Sequence, residues 1–219
     1  MKLIAVLAAS ARLGYDDFRH QTRDIRGWAL SFRRETAGVK LKVYKYGEKV
    51  LREKATPVVV VDDRLRKLAE DMIETMHAAK GVGLAAEQVG RTERICVIDI
   101  PEGCDEREDE MFNAPIQMPL VLFNPEILAQ EGSQRDKEGC LSFPNVGGSL
   151  TRAAQVTCQY LDVDNRPQVI TARGYLARAI QHETDHLNGI LYIDHMSAVE
   201  RLTCAAKLKK LAKQNGGIR

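Results

Sequence analysis

The stretch His182-Glu183-Thr184-Asp185-His186 is an H-E-x-x-H motif in a chain of 219 residues. Residues four apart lie on one face of an α-helix, so His182 and His186 can bind one metal ion together. Glu183 lies beside them and can take a proton from water bound to that metal. A catalytic site of this kind needs a third protein ligand and one open position. The motif therefore predicts a metal-bearing helix at the centre of the fold.

The residues before the motif indicate which face of that helix is buried. Side chains recur at helical spacings of four, three and four, at Tyr175, Ala179, His182 and His186. Buried imidazoles need partners for their nitrogen atoms, and a metal ion provides one. Asp185 faces away from the histidines, so we expect it to support the structure and assign it no role in the reaction.

A zinc endopeptidase is one interpretation of the motif, and it requires a third ligand further along the chain. The protease pattern H-E-x-x-H-x-x-G-x-x-H is matched as far as Gly189, but its last histidine falls on Tyr192. His195 lies three residues too late. Glu200 would suit a protease that takes a glutamate from a later helix, but Ser197-Ala198-Val199-Glu200 has the pattern of a capping box.

The other candidate for the third ligand lies upstream, in Glu138-Gly139-Cys140-Leu141-Ser142. A thiolate with two imidazoles suits zinc or iron and leaves a fourth position for water. Two further cysteines, Cys96 and Cys158, lie in apolar runs and are expected to be buried as small hydrophobic residues. The five cysteines show no paired framework, so we expect a cytoplasmic, reducing location without disulfides.

Together with Gly81-Val82-Gly83-Leu84-Ala85-Ala86-Glu87-Gln88, these two motifs resemble those of the peptide deformylase family, in the same order along the chain. The resemblance spans residues 40–192. It implies a metal-dependent hydrolase, acting on a linear amide, that removes the formyl group from the amino-terminal formylmethionine of newly synthesised polypeptides. It also implies that Cys140, His182 and His186 hold the metal and that Glu183 is the general base.

The resemblance implies further roles around the reacting carbonyl. The side-chain N–H of Gln88 and the backbone N–H of Leu141 would hydrogen-bond the formyl oxygen as negative charge develops there. Val82, Gly83 and Ala179 would line the pocket for the methionine side chain, with glycine allowing close approach to the backbone. The implied metal is Fe²⁺, with Zn²⁺, Ni²⁺ or Co²⁺ as substitutes, although the ligand set alone favours zinc by affinity.

Length and composition fit one globular catalytic domain, which we assign to residues 40–219. The formal net charge of +2 gives no case for nucleic-acid binding by the whole chain. No stretch approaches the roughly 20 apolar residues of a membrane span. Residues 1–39 are an amino-terminal extension of unknown role. Its first 11 residues outline a signal peptide, but their apolar core is short.

Periodicity and turn signals predict an α+β fold, with mostly antiparallel strands around the metal-bearing helix and a carboxyl-terminal helix. Asp62 is expected to cap a helix over residues 63–80. Strands are predicted over 94–100, 120–124, 155–161 and 168–171. The acidic stretch 101–110 is predicted to be a surface loop.

The predicted carboxyl-terminal helix, residues 198–214, is amphipathic. Its apolar stripe comprises Cys204, Ala205, Leu208, Leu211 and Ala212. Its other faces carry Lys207, Lys209, Lys210 and Lys213. Such a helix can simply pack on its own domain with the lysines in solvent. The family resemblance implies instead a contact with the ribosome, in which the lysines would meet ribosomal RNA.

Overall fold

A five-stranded antiparallel sheet packs against the helix that carries the H-E-x-x-H motif. The computed structural model describes residues 39–216, and the strands of this sheet lie in the order β1-β2-β3-β6-β7. They are β1 (Gly83–Ala85), β2 (Ile95–Ile98), β3 (Leu120–Glu131), β6 (Gln155–Leu161) and β7 (Pro167–Arg173). A separate antiparallel hairpin pairs β4 (Gln134–Gly139) with β5 (Gly147–Arg152).

Four α-helices complete the described part of the chain: α1 (Asp63–Ala78), α2 (Arg107–Asn113), α3 (Gly174–Leu187) and α4 (Ala198–Gln214). Short 3₁₀ turns span Lys49–Arg52, Ala86–Val89 and Tyr192–His195. The Asp62 carboxylate accepts a hydrogen bond from the Leu65 N–H at 2.9 Å and caps α1, as predicted. Ser197 and Glu200 form the predicted capping box of α4. The α+β class, the antiparallel strands and the carboxyl-terminal helix are confirmed.

Helix α3 lies in the core, which places the motif histidines away from solvent. Its apolar residues join one hydrophobic cluster with the sheet, formed in part by Ile98, Leu122, Val156, Leu176, Ala177 and Ile180. Cys96 and Cys158 belong to this cluster and are buried, as predicted. A second cluster lies beneath α4 and includes Phe143, Leu150, Tyr192, Leu208 and Leu211. The prediction was wrong for Ala205, which is exposed, because the buried stripe of α4 is narrower than expected.

At two of the predicted element ends, a residue with positive φ changes the course of the chain. Strand β3 extends to Glu131 rather than to residue 124, since Asn124 (φ 53°) and Pro125 form a bulge. The Asn124 side chain bonds the backbone N–H and C=O of Val58 at 2.8 and 2.7 Å. Helix α1 ends at Ala78 rather than at residue 80, where Lys80 adopts a φ of 57°.

Helix α2 and the β4–β5 hairpin were not predicted because many of their residues are polar. The 101–110 stretch contains the start of α2, whose first turn carries three acidic residues that suit the positive end of the helix dipole. Strand β4 is mostly exposed, and neither β4 nor β5 has an apolar alternation. Strand β6, in contrast, has the bounds that were predicted for it.

Among residues 39–216, no helix combines the length and the apolar character that a membrane crossing demands. The amino-terminal extension assigned to residues 1–39, with the signal-peptide outline inside it, lies outside the described residues apart from Val39.

Candidate active site

Three potential metal ligands converge where α3 passes the loop that follows β4. One ligand atom from each of Cys140, His182 and His186 lies within 4.8 Å of the other two. The Cys140 Sγ is 3.2 Å from the His186 Nε2. His182 is 9% exposed and His186 is 1% exposed, so both imidazoles are buried, as their helical stripe predicted. One sulfur and two nitrogen ligands suit zinc or iron.

The protonation of the two imidazoles is compatible with a bound cation. Glu138 Oε2 lies 3.0 Å from Nδ1 of His182, which leaves Nε2 of that ring free to act as a ligand. Burial lowers the pKa of His186 well below its ordinary value and keeps this ring neutral. Burial also lowers the pKa of His182, but hydrogen bonds to Cys140 and Glu138 raise it overall. Since metal binding displaces such a proton, the residues fit a divalent metal ion.

Glu138 holds His182 in place through a network of buried charges. Its carboxylate, which is 7% exposed, accepts hydrogen bonds from Arg152 at 2.9 and 3.0 Å and from Arg178 at 2.6 Å. Burial alone would raise the pKa of Glu138, but His182 and Arg152 hold it well below its ordinary range. Glu138 therefore stays charged and fixes the orientation of a ligand ring. The sequence alone gave no role to Glu138. Arg178, one helical turn before His182, was the available signal, because a buried arginine on that face needs an acidic partner.

The residues that a zinc endopeptidase would need as a third ligand have other partners. The Tyr192 hydroxyl donates to a backbone carbonyl at 3.0 Å. His195 Nε2 lies 2.8 Å from Asp185, whose carboxylate also bonds Arg152 and so supports the structure, as expected. Glu200 accepts from the Ser197 N–H at 3.1 Å and caps α4. Within residues 39–216, none of them joins the two motif histidines in a ligand cluster, so the endopeptidase interpretation is not favoured.

Glu183 lines the cleft, and one of its carboxylate oxygens is buried without a hydrogen-bond partner among the described residues. Its side chain is 4% exposed, and that oxygen is Oε2. Burial raises the pKa of Glu183 to about 7. A Cβ atom at Gly83 would collide with this carboxylate, and one at Gly81 would lie 2.6 Å from the Leu141 Cδ1. The two glycines that were expected to admit substrate therefore also make room for Glu183 and Leu141.

The side-chain amide of Gln88 is oriented by its neighbours. Its Oε1 accepts a hydrogen bond from the Ala85 N–H at 2.8 Å. Its Nε2 therefore faces the ligand cluster, 3.3 Å from the Cys140 Sγ and 3.2 Å from the Ser142 Oγ. The neighbouring Leu141 lies in a turn closed by a 2.8 Å hydrogen bond from the Phe143 N–H to the Cys140 carbonyl. This turn leaves the Leu141 N–H without a partner among the described residues.

All but one of the predicted site residues line one cleft of about 550 Å³. The three residues expected to contact the methionine side chain, Val82, Gly83 and Ala179, all line this cleft. The remaining members of the site that line it are Gln88, Cys140, Leu141, His182 and Glu183. The exception is His186, which does not line the cleft but completes the ligand cluster with His182 and Cys140. The cleft thus brings a potential metal site, a buried carboxyl group and two N–H donors to one place.

Known proteins are similar to this chain in sequence and in fold over most of its length. The family model for polypeptide deformylase matches residues 40–202. A peptide deformylase from Alkalilimnicola ehrlichii is 42% identical over 174 residues, which cover 80% of this chain and 92% of the relative. One from Nitrosococcus oceani is 43% identical over 170 residues, covering 78% of this chain and 95% of the relative.

A solved structure gives the same result. The peptide deformylase from Ehrlichia chaffeensis, crystallised in complex with actinonin, superposes with a TM-score of 0.71 at 36% identity. The match covers 80% of this chain and 98% of that one. Sequence, fold and the order of the three motifs agree, and the chain belongs to the polypeptide deformylase family.

Proposed function

We propose that the Cys140–His182–His186 cluster is the metal centre at which this chain removes the formyl group from the amino-terminal formylmethionine of newly synthesised polypeptides. The observation that carries the proposal is the convergence of three ligand atoms within 4.8 Å of one another beside the buried Glu183. When bound there, a divalent cation supplies a Lewis acid that activates water for amide hydrolysis near neutral pH.

The residues around the cluster transfer the proton, stabilise the developing charge and bind the substrate side chain. Glu183, which lines the cleft, accepts the proton of the attacking water and later delivers it to the departing amine. Gln88 Nε2 and the Leu141 N–H donate hydrogen bonds to the formyl oxygen as negative charge develops on it. Val82, Gly83 and Ala179 contact the methionine side chain from the wall of the cleft. Formate and a free amino terminus are the products.

The proposed location is the cytoplasm, and the proposed catalytic domain is residues 40–219 with 1–39 as an extension. All five cysteines are free, and a cysteine that serves as a metal ligand must stay reduced. The family match begins at residue 40, which supports this boundary.

The proposed native metal is Fe²⁺, and this choice has a testable consequence. Oxygen oxidises ferrous iron and a thiolate ligand such as Cys140, whereas a nickel ion keeps its oxidation state. Protein prepared with iron and without oxygen is therefore expected to deformylate formyl-Met-Ala-Ser and to lose that activity in air. Nickel-loaded protein is the control and is expected to keep its activity. Mass spectrometry should find oxidised Cys140 in the air-exposed iron sample.

Zinc-loaded protein with the turnover of the anaerobic iron form would contradict the choice of iron. It would leave the three ligands and the deformylase activity in place.

The further proposal concerns the ribosome, which α4 would contact through its lysines. Four residues anchor α4 to its own domain: Cys204, Leu208, Leu211 and Ala212. Four lysines on the other faces are exposed: Lys207, Lys209, Lys210 and Lys213. Exposed ammonium groups on a helix that is packed on its own domain suit a polyanion such as ribosomal RNA. Such a contact between α4 and the ribosome would hold the cleft near emerging formylated chains.

Charge reversal on α4 is expected to weaken binding to ribosomes without changing activity on short peptides. Replacing Lys209, Lys210 and Lys213 with glutamate should lower co-sedimentation with ribosomes by about tenfold or more at low salt. Wild-type binding should itself fall steeply as salt is raised. The control reverses three exposed lysines outside α4, Lys40, Lys49 and Lys54. Equal losses in both variants, or binding that survives removal of residues 206–219, would contradict a specific contact by α4.

A further inference from the structure

The segment Tyr44–Tyr46 connects the two loops that carry the proposed oxyanion donors. The Tyr44 N–H donates to the Gln88 carbonyl at 2.8 Å, and the Tyr46 N–H donates to the Ser142 carbonyl at 2.9 Å. Between them, the ammonium group of Lys45 donates to the Leu141 carbonyl at 2.7 Å. The three consecutive residues Tyr44, Lys45 and Tyr46 thus hydrogen-bond both loops. One loop carries Gln88 and the other carries Leu141, and the two are more than fifty residues apart in sequence.

Packing holds this segment in place at both ends. The Tyr46 ring stacks on Phe143 with a centroid distance of 4.9 Å. The Tyr44 ring lies so close to Gly90 that a Cβ atom there would be 2.6 Å from its Cε2. Gly90 also adopts a φ of 76°, which other residues rarely accept. The backbone from which the Lys45 side chain extends is therefore fixed with respect to both loops.

Lys45 itself lies inside the machinery rather than on the outer surface. It is partly buried and lines the cleft together with Gln88, Cys140 and Leu141. Leu141 is the second residue of the turn that starts at the metal-ligand candidate Cys140. The Leu141 N–H shares a planar peptide unit with the Cys140 carbonyl, which the Phe143 N–H holds, whereas the Leu141 carbonyl belongs to the next unit. By anchoring that second unit, Lys45 restricts the φ and ψ rotations of Leu141 and so restricts the direction of its free N–H.

We propose that Lys45 is a positioning residue for deformylation. Its ammonium group fixes Leu141 in the orientation in which its N–H meets the formyl oxygen, while the flanking backbone keeps Gln88 at a constant distance from Leu141. This inference rests on the proposed function of Gln88 and Leu141. Lys45 acts through Leu141 and takes no part in proton transfer.

The test replaces Lys45 with methionine, which keeps the length of the side chain and removes the donor. A donor displaced by about 1 Å can cost up to 10²-fold in rate, so a partial loss of orientation should lower kcat by about tenfold. We expect KM to stay within about twofold, and metal content and melting temperature to match wild type. Lys45→Arg keeps a donor within reach and should restore most of the turnover. Lys45→Gln, which is polar but too short, should behave like Lys45→Met and serves if the latter does not fold.

Lys49→Met is the matched control. Lys49 is exposed, and its substitution removes the same charge four residues further along the chain. A positioning role predicts normal kinetics for Lys49→Met and a fall in kcat for Lys45→Met. Unchanged kcat in Lys45→Met, a change confined to KM, or a loss that Lys45→Arg does not restore would each overturn the inference. Those results require an active wild-type protein. An inactive metal-loaded wild type would instead overturn the proposed function, so the two failures are distinguishable.

Discussion

Replacing Glu183 with glutamine is expected to lower the turnover of formyl-Met-Ala-Ser by about 10²–10⁴-fold, the usual cost of losing a general acid–base group. The same carboxylate is proposed to accept one proton and deliver it again, so the substitution affects both steps. Glutamine fills the volume beside Gly83, so the packing that this glycine permits is kept. An amide cannot carry the proton. Metal content should stay near that of wild type, since Glu183 is not one of the three clustered ligands.

Glu87 provides a matched control in the same region. It is also buried, and neither of its carboxylate oxygens has a hydrogen-bond partner among the described residues. Burial raises its pKa to about 8, so it is protonated at neutral pH, and a neutral amide is a close replacement. Glu87 does not line the cleft. We expect Glu87→Gln to keep turnover near wild type while Glu183→Gln loses most of it. That difference would show that the loss comes from proton transfer by Glu183 and not from removing a buried acid in general. A fully active, metal-loaded Glu183→Gln would remove Glu183 from the mechanism.

The pH dependence of turnover follows from the same carboxylate. A base must be deprotonated to accept the first proton, so activity should rise as pH increases through the pKa of Glu183, which burial places at about 7. A carboxyl group with its ordinary pKa would complete that rise well below neutrality. The buried position of Glu183 is thus suited to proton exchange near neutral pH.

Local sequence patterns predicted the parts of the site that depend on local geometry. The spacing of His182 and His186 on one helical face defines two ligands before any tertiary structure is known. The cap of α1 and the capping box of α4 are also local, because each joins residues three apart. Cys140 is different, since its partner His186 lies 46 residues away and only the family motif indicated it.

The supporting contacts could not be predicted because each joins side chains that are far apart in sequence and individually ordinary. The burial of Arg152 and Arg178 depends on their ion pairs with Glu138 and, for Arg152, with Asp185. Arg152 also lies on a hairpin with no apolar alternation. Lys45 and Leu141 are separated by 96 residues. Nothing in the composition of either segment distinguishes this lysine from the exposed Lys42 or Lys49.

Replacing Gln88 with leucine is expected to lower kcat by about 10²–10³-fold, or about 3–4 kcal/mol of transition-state stabilisation, if its amide donates to the developing oxyanion. The structure supports this magnitude because the amide is already aimed: Ala85 holds Oε1, and Nε2 lies 3.3 Å from the Cys140 Sγ. A donor oriented in advance costs nothing to reorganise during the reaction. KM for formyl-Met-Ala-Ser should change little, because the bond strengthens only as charge develops.

Gln88→Leu also removes the acceptor of the Ala85 N–H, so a second variant is needed to isolate the donor. Gln88→Glu keeps an oxygen for Ala85 and loses both donor hydrogens, and its negative charge would repel an oxyanion. We therefore expect Gln88→Glu to be at least as impaired as Gln88→Leu, although its fold is better preserved. Stopped-assay kinetics and thermal melting on both variants give the comparison. Two results would contradict this role: wild-type turnover in Gln88→Glu, or a change in KM alone in both variants. Gln88 would then be a ground-state contact, and the Leu141 N–H would remain as the protein donor to the formyl oxygen.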